Sequence, residues 1–148
     1  MLTSVLVVDD DADTRWAMRA ALEDAGYAVF EALDGKAALA QLVYSPHGMV
    51  VVLDLQMPGM DGAAVLHTLA KNTRLADRHV VILATAQDRR TLNWEIVRLL
   101  NWFDIRPLWK PFDIDELVEA VQTAERHLPL FPAYSLVRQI STSGNHHS

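Results

Sequence analysis

Residues Val50-Val51-Val52-Leu53 are apolar at every position and run straight into Asp54, after which Gln56-Met57-Pro58-Gly59 forces a turn. A strand with one wet face alternates apolar and polar residues. A run that never alternates needs protein on both faces, the condition of an inner strand in a parallel sheet. Val5-Leu6-Val7-Val8 repeats the pattern and stops at Asp9-Asp10-Asp11, and Val80-Val81-Ile82-Leu83 repeats it again, passing into Ala84-Thr85-Ala86. Two weaker segments, Ala28 to Ala32 and Ile105 to Trp109, complete the set; the second ends at Lys110-Pro111.

Between these runs the apolar residues recur at helical spacing. Met18, Ala21, Leu22 and Ala25 mark a first helix closed by Gly26, a residue suited to a C-cap. Asp34-Gly35 opens a second, with Ala38, Leu39, Leu42 and Val43 on one face, broken by Ser45-Pro46-His47-Gly48. Val65, Leu66, Leu69 and Ala70 mark a third, and Leu92, Ile96, Leu99 and Leu100 a fourth. Asp113 and Glu116 resemble a capping box before Ile114, Leu117, Val118, Val121 and Leu128, which carry a fifth up to Pro129. Strands alternating with helices predict an α/β fold with a doubly wound five-stranded parallel sheet, order 2-1-3-4-5, of the flavodoxin type.

Composition narrows the function. A chain of 148 residues suits one domain with a proper core. The formal net charge of −6 argues against a nucleic-acid surface. No segment approaches the ~20 apolar residues that span a bilayer, and the N-terminus has no signal-peptide pattern. The absence of cysteine fits a cytoplasmic location.

In open α/β sheets the ligand crevice lies outside the carboxyl ends of the strands. Asp9 and Asp10, Asp54, Thr85 and Lys110 each fall at such an end, on four different strands. Taken singly, Asp54 reads as a turn residue, Thr85 as a β-favouring one and Lys110 as a surface ion-pair partner. Together they make a chemistry. Converging carboxylates repel unless a cation joins them, and Mg²⁺ suits hard oxygen ligands. Lys110 can neutralise a phosphoryl group, Thr85 can donate a hydroxyl, and Asp54 is then placed as a carboxylate nucleophile.

On these residues the chain resembles the receiver domains of two-component response regulators, the CheY-like family. The matching positions are Asp9-Asp10 after an apolar strand, Asp54 with Met57-Pro58-x-Met60-Asp61-Gly62, Thr85-Ala86, and Lys110-Pro111-Phe112. The likeness covers roughly residues 3 to 128, which implies a receiver domain over 1–128 and leaves 129–148 as a tail or linker. It implies that Asp54 accepts phosphate from a histidine kinase, a phosphotransfer protein or a small phosphodonor. It also implies that Asp10 and Asp54 bind Mg²⁺ with the Gln56 backbone carbonyl, that Asp9 helps through a water, that Thr85 and Lys110 grip the phosphoryl group, and that Lys110-Pro111 is cis. The role implied is a phosphoacceptor, not a turnover enzyme.

The final strand departs from the family pattern. Phe103 and Asp104 stand where receivers usually carry Gly-Ala, and Pro107 replaces the aromatic residue whose rotation reports phosphorylation. Pro107 fits an edge strand, since it cannot donate to a ladder. Trp94, Trp102 and Trp109 crowd this region: Trp102 is expected to be buried, and Trp109 shares a strand face with Pro107. The surface of the fourth helix, last strand and fifth helix, around Trp94 and Trp109, is the expected dimer or effector contact.

Two alternatives stay open. One is a receiver-shaped interaction module that does not respond to phosphate, favoured by the altered last strand. The other is a phosphatase of the haloacid dehalogenase type, imitated by Asp9-x-Asp11; against it, Asp13 stands where Thr or Val is expected and no acidic pair follows the lysine. In the tail, Phe131, Tyr134, Leu136, Val137 and Ile140 suit docking, Ser141 to Ser148 reads as disordered, and His146-His147 as solvated.

Overall fold

The computed structural model describes residues 2–129, so the tail residues named above, Phe131 to His147, lie outside it. The chain runs β1 (Ser4–Val8), α1 (Ala12–Asp24), β2 (Ala28–Ala32), α2 (Gly35–Tyr44), β3 (Met49–Leu53), α3 (Gly62–Lys71), a one-turn α4 (Thr73–Ala76), β4 (Val80–Thr85), α5 (Trp94–Trp102), β5 (Pro107–Trp109) and α6 (Ile114–Glu125). All pairings are parallel and the order is β2-β1-β3-β4-β5, as the alternation predicts.

Every residue of β3 is buried, because each face of the sheet carries its own core. Leu6, Val8, Val51, Leu53 and Leu83 pack with Leu42 of α2, Leu66 and Leu69 of α3, and Ile96, Leu99 and Leu100 of α5. Val5, Val7, Val50, Val52 and Ile82 pack with Met18 and Leu22 of α1 and with Leu117 and Val121 of α6. A fully buried Val or Leu contributes roughly 1.5–3 kcal/mol, so this double sandwich dominates the stability. No helix among the described residues is long and apolar enough to cross a membrane.

The helix ends follow local rules, with one surprise. The Gly26 N–H bonds the Glu23 carbonyl and the Tyr27 N–H bonds the Leu22 carbonyl, both at 3.0 Å, with Gly26 at φ 98°: a Schellman cap closing α1. The same device ends α5, but with Asp104 in the left-handed position at φ 53°. There the Ile105 N–H reaches the Leu100 carbonyl at 2.8 Å, and both side chains are buried. That cap uses up Ile105, so β5 starts at Pro107 and not at Ile105. Pro107 stands at the first position of an edge strand, where its missing N–H costs no ladder bond. The one-turn α4 and a 3₁₀ turn at Arg89–Thr91 are additions to the expected series.

His79, immediately before β4, is buried and its ring is fully used. Nδ1 accepts the Met49 N–H at 2.9 Å, so Nε2 carries the proton and donates to the Leu42 carbonyl at 3.1 Å. Burial above all holds this imidazole neutral, pulling its pKa down to about 4 from 6.5, with Arg78 adding to the effect and the Leu42 carbonyl opposing it. The unfolded chain therefore takes up a proton near pH 6.5 that the folded one refuses until about pH 4. Stability should be flat above that window and fall through it, by about 2 kcal/mol between pH 6.5 and pH 5. Urea midpoints measured against pH for wild type and His79→Gln will check this; parallel profiles would remove His79 as the cause.

Candidate functional site

The strand ladder itself delivers the acidic residues. The Asp54 N–H bonds the Val8 carbonyl at 3.0 Å, the Asp9 N–H bonds the Ala32 carbonyl at 3.2 Å, and the Lys110 N–H bonds the Thr85 carbonyl at 2.9 Å. Each residue is thus fixed one step beyond its strand, at the sheet's carboxyl edge. One carboxylate oxygen from each of Asp9, Asp10 and Asp54 lies within 4.8 Å of the others. Asp9 and Asp54 are buried, with Asp54 only 6% exposed, and Asp10 is exposed at the mouth.

Lys110 joins the group from β5. Its Nζ is 2.7 Å from Asp9 Oδ2 and 3.6 Å from Asp54 Oδ2. Desolvation pushes the Asp54 carboxyl above its ordinary pKa, reinforced by Asp9 and Asp10 and opposed by Lys110 and the Gln56 N–H. One ammonium does not balance three carboxylates, and the oxygen-only donor set suits a hard divalent cation with room for water on the Asp10 side. Thr85 is wholly buried; its Oγ1 accepts the Gln87 N–H at 3.1 Å, leaving the hydroxyl proton free to donate. The Gln56 N–H points to Asp54 Oδ1 at 3.3 Å, which places Gln56 beside the cluster. The Lys110–Pro111 peptide is cis.

Asp11 is occupied elsewhere. It caps α1, accepting from the Asp13 N–H at 3.2 Å and from Thr14 Oγ1 at 2.6 Å, and the Thr14 bond above all holds its carboxyl below the ordinary value. Asp11 thus serves the helix start, and the clustered carboxylates are those of Asp9, Asp10 and Asp54. Asp61 and Asp113 are likewise N-caps, of α3 and α6.

The tryptophans are rearranged relative to expectation. Trp102 is 71% exposed, because the buried face of α5 is taken by Ile96, Leu99 and Leu100 and Trp102 falls on the opposite side. Trp94 is equally exposed and its ring is covered by the Arg98 guanidinium at 5.2 Å. Trp109 is half-buried, paired with Thr85 across the ladder, while Leu108 packs on the α1/α6 side as strand alternation requires. Sequence reasoning passed over Arg15, whose Nη1 donates to the Asp9 carbonyl at 2.7 Å. A charged residue on a polar helix face gives no sign of such a contact.

A doubly wound parallel sheet with acidic residues, a threonine and a lysine at its carboxyl edge defines a class of proteins, and comparison with known proteins assigns the family. The model of the response regulator receiver domain matches residues 5–122, and the chain belongs to that family. Sporulation initiation phosphotransferase F of Bacillus subtilis (strain 168) is 34% identical over 133 residues, covering 88% of this chain and 97% of the relative. The DNA-binding transcriptional regulator NtrC of Salmonella typhimurium is 37% identical over 123 residues, and this chain spans only 25% of its length. Among solved structures, a CheY-like receiver domain protein from Methanospirillum hungatei JF-1 aligns with a TM-score of 0.72 at 29% identity, covering 84% of this chain and 96% of that one. Response regulator TrrA from Thermotoga maritima, in complex with Mg(2+)-BeF, aligns with a TM-score of 0.68 at 27% identity, covering 83% and 99%.

Proposed function

We propose that this receiver accepts a phosphoryl group on Asp54, with Mg²⁺ bound by Asp10, Asp54 and the Gln56 carbonyl and supported by Asp9. The observation that carries the reading is the convergence of three carboxylates within 4.8 Å with Lys110 closing one side. An Asp54 carboxylate oxygen attacks phosphorus in line with the donor's leaving group. A P–O bond forms to Asp54, and the donor's bond to phosphorus breaks with its electron pair going to the leaving group. Lys110 and the free Thr85 hydroxyl proton meet the phosphoryl oxygens as charge builds on them. Bound Mg²⁺ supplies charge neutralisation for those oxygens and for the carboxylates. The donor is a histidine kinase, a phosphotransfer protein or a small acyl phosphate, the role is that of a phosphoacceptor rather than a turnover enzyme, and the setting is the cytoplasm. The complex of TrrA with Mg(2+)-BeF supports the metal assignment.

Acetyl phosphate with Mg²⁺ should add one phosphoryl mass to the intact chain, and chelation of Mg²⁺ should prevent it. An unmodified wild type across acyl phosphates and a kinase domain would defeat the reading and leave the phosphate-insensitive interaction module.

Output is proposed to pass through the surface of α5, β5 and α6, toward a second copy or an effector. Trp94, Val97 and Trp102 of α5 are exposed, and half-buried Trp109 of β5 pairs with Thr85 across the ladder. Beryllofluoride with Mg²⁺ should change tryptophan fluorescence, and Trp109→Phe should remove most of the change. A signal that survives the substitution would place the switch elsewhere.

A further inference from the structure

Every polar backbone and side-chain atom of Asp9 is held. Its N–H donates to the Ala32 carbonyl at 3.2 Å, Oδ1 accepts the Asp11 N–H at 3.0 Å, Oδ2 accepts Lys110 Nζ at 2.7 Å, and the carbonyl accepts Arg15 Nη1 at 2.7 Å. The last bond is one end of a longer brace. Arg15 Nε also pairs with Glu31 Oε1 at 3.3 Å, and Arg19 Nη1 holds the other oxygen of Glu31 at 2.7 Å. The Arg15 and Glu31 side chains are 17% and 31% exposed, so the pair is partly sheltered from water. Two consecutive residues of β2 therefore grip Asp9: Ala32 by its carbonyl, and Glu31 through the guanidinium.

We propose that Arg15 is a positioning residue for the divalent cation, an inference resting on the Mg²⁺ reading above. The Asp9 carbonyl belongs to the peptide that leads into Asp10. Fixing that peptide fixes the direction in which Asp10, exposed at the mouth, presents its carboxylate toward Asp54. A planar guanidinium does this because it reaches the carbonyl and Glu31 at once from a rigid fork; an ammonium cannot span both in the same geometry. Outer partners of this kind typically change metal affinity by about 10- to 100-fold when removed.

The sign of the effect separates positioning from simple charge. Arg15 is a cation beside a cation site, so by Coulomb's law its removal should tighten Mg²⁺ binding. Positioning requires the reverse. Calorimetric titration of the full chain with MgCl₂ should give about a tenfold weaker Kd for Arg15→Gln than for wild type, with Arg15→Lys in between. Equal or tighter binding by Arg15→Gln would overturn the proposal. Should Arg15→Gln fail to fold, Arg15→Lys carries the test: it keeps the charge, and wild-type affinity in it would overturn the brace. Wild type that does not bind Mg²⁺ at all would overturn the metal reading, and the role of Arg15 with it.

Discussion

Asp54→Asn should take up no phosphoryl group from acetyl phosphate and, in Mg²⁺-free buffer, should melt a few degrees above wild type. The first result follows because an amide oxygen is a far poorer nucleophile than a carboxylate. The second follows from the electrostatics. Burial, Asp9 and Asp10 all raise the Asp54 pKa, so the fold disfavours its ionised form, despite Lys110 and the Gln56 N–H. A carboxyl raised in this way contributes stability that is fully present below its ordinary pKa and is lost as pH rises through the folded value, so at pH 7 the ionised group is a net cost. Asparagine keeps the shape and removes that charge. Mg²⁺ should narrow or reverse the order, since wild type binding at 100 times its Kd would gain about 2.7 kcal/mol and the variant offers the cation one carboxylate fewer. Scanning calorimetry with and without Mg²⁺ will show it. A variant less stable than wild type without metal would mean that the Lys110 attraction outweighs the repulsion and burial.

The legibility of this chain differs from strand to strand for physical reasons. β3 is readable because burial on both faces leaves no polar position, and its end places Asp54 at the carboxyl edge of the sheet. The gathering of Asp9, Asp10, Asp54 and Lys110 is legible because parallel strands bring all their carboxyl ends to one rim. β5 was less so. Ile105 has strand chemistry, but the cap made possible by Asp104 at positive φ draws it into the end of α5. Trp102 misled because a large apolar residue argues for burial, whereas helical phase decides it: Ile96, Leu99 and Leu100 already fill the inner face. Arg15 was invisible because its partner is a backbone carbonyl on another element, and nothing in a one-dimensional pattern records a carbonyl's direction.

The same limit applies to Gly62, which the receiver-like motif contains without explaining. Gly62 opens α3 with its N–H on the Leu55 carbonyl at 3.1 Å, so the helix start lies against the strand end that carries Asp54. A Cβ at Gly62 would stand 2.2 Å from the Asp54 carbonyl oxygen and 2.9 Å from the Leu55 Cα. Those are backbone atoms, and no side chain can swing aside to make room. Gly62→Ala must therefore push α3 away or displace Asp54. We expect a destabilisation of about 3 kcal/mol. A displacement of Asp54 by about 1 Å should also slow phosphorylation by roughly 100-fold. Gly59→Ala is the matched control. Gly59 has φ 71° but open space around its Cβ position, so alanine there should cost only the left-handed strain, about 1–2 kcal/mol, and leave the phosphorylation rate unchanged. Rates of phosphoryl incorporation and urea midpoints for the two variants will decide. A Gly62→Ala protein that phosphorylates like wild type would show that the close approach of α3 plays no part in placing Asp54.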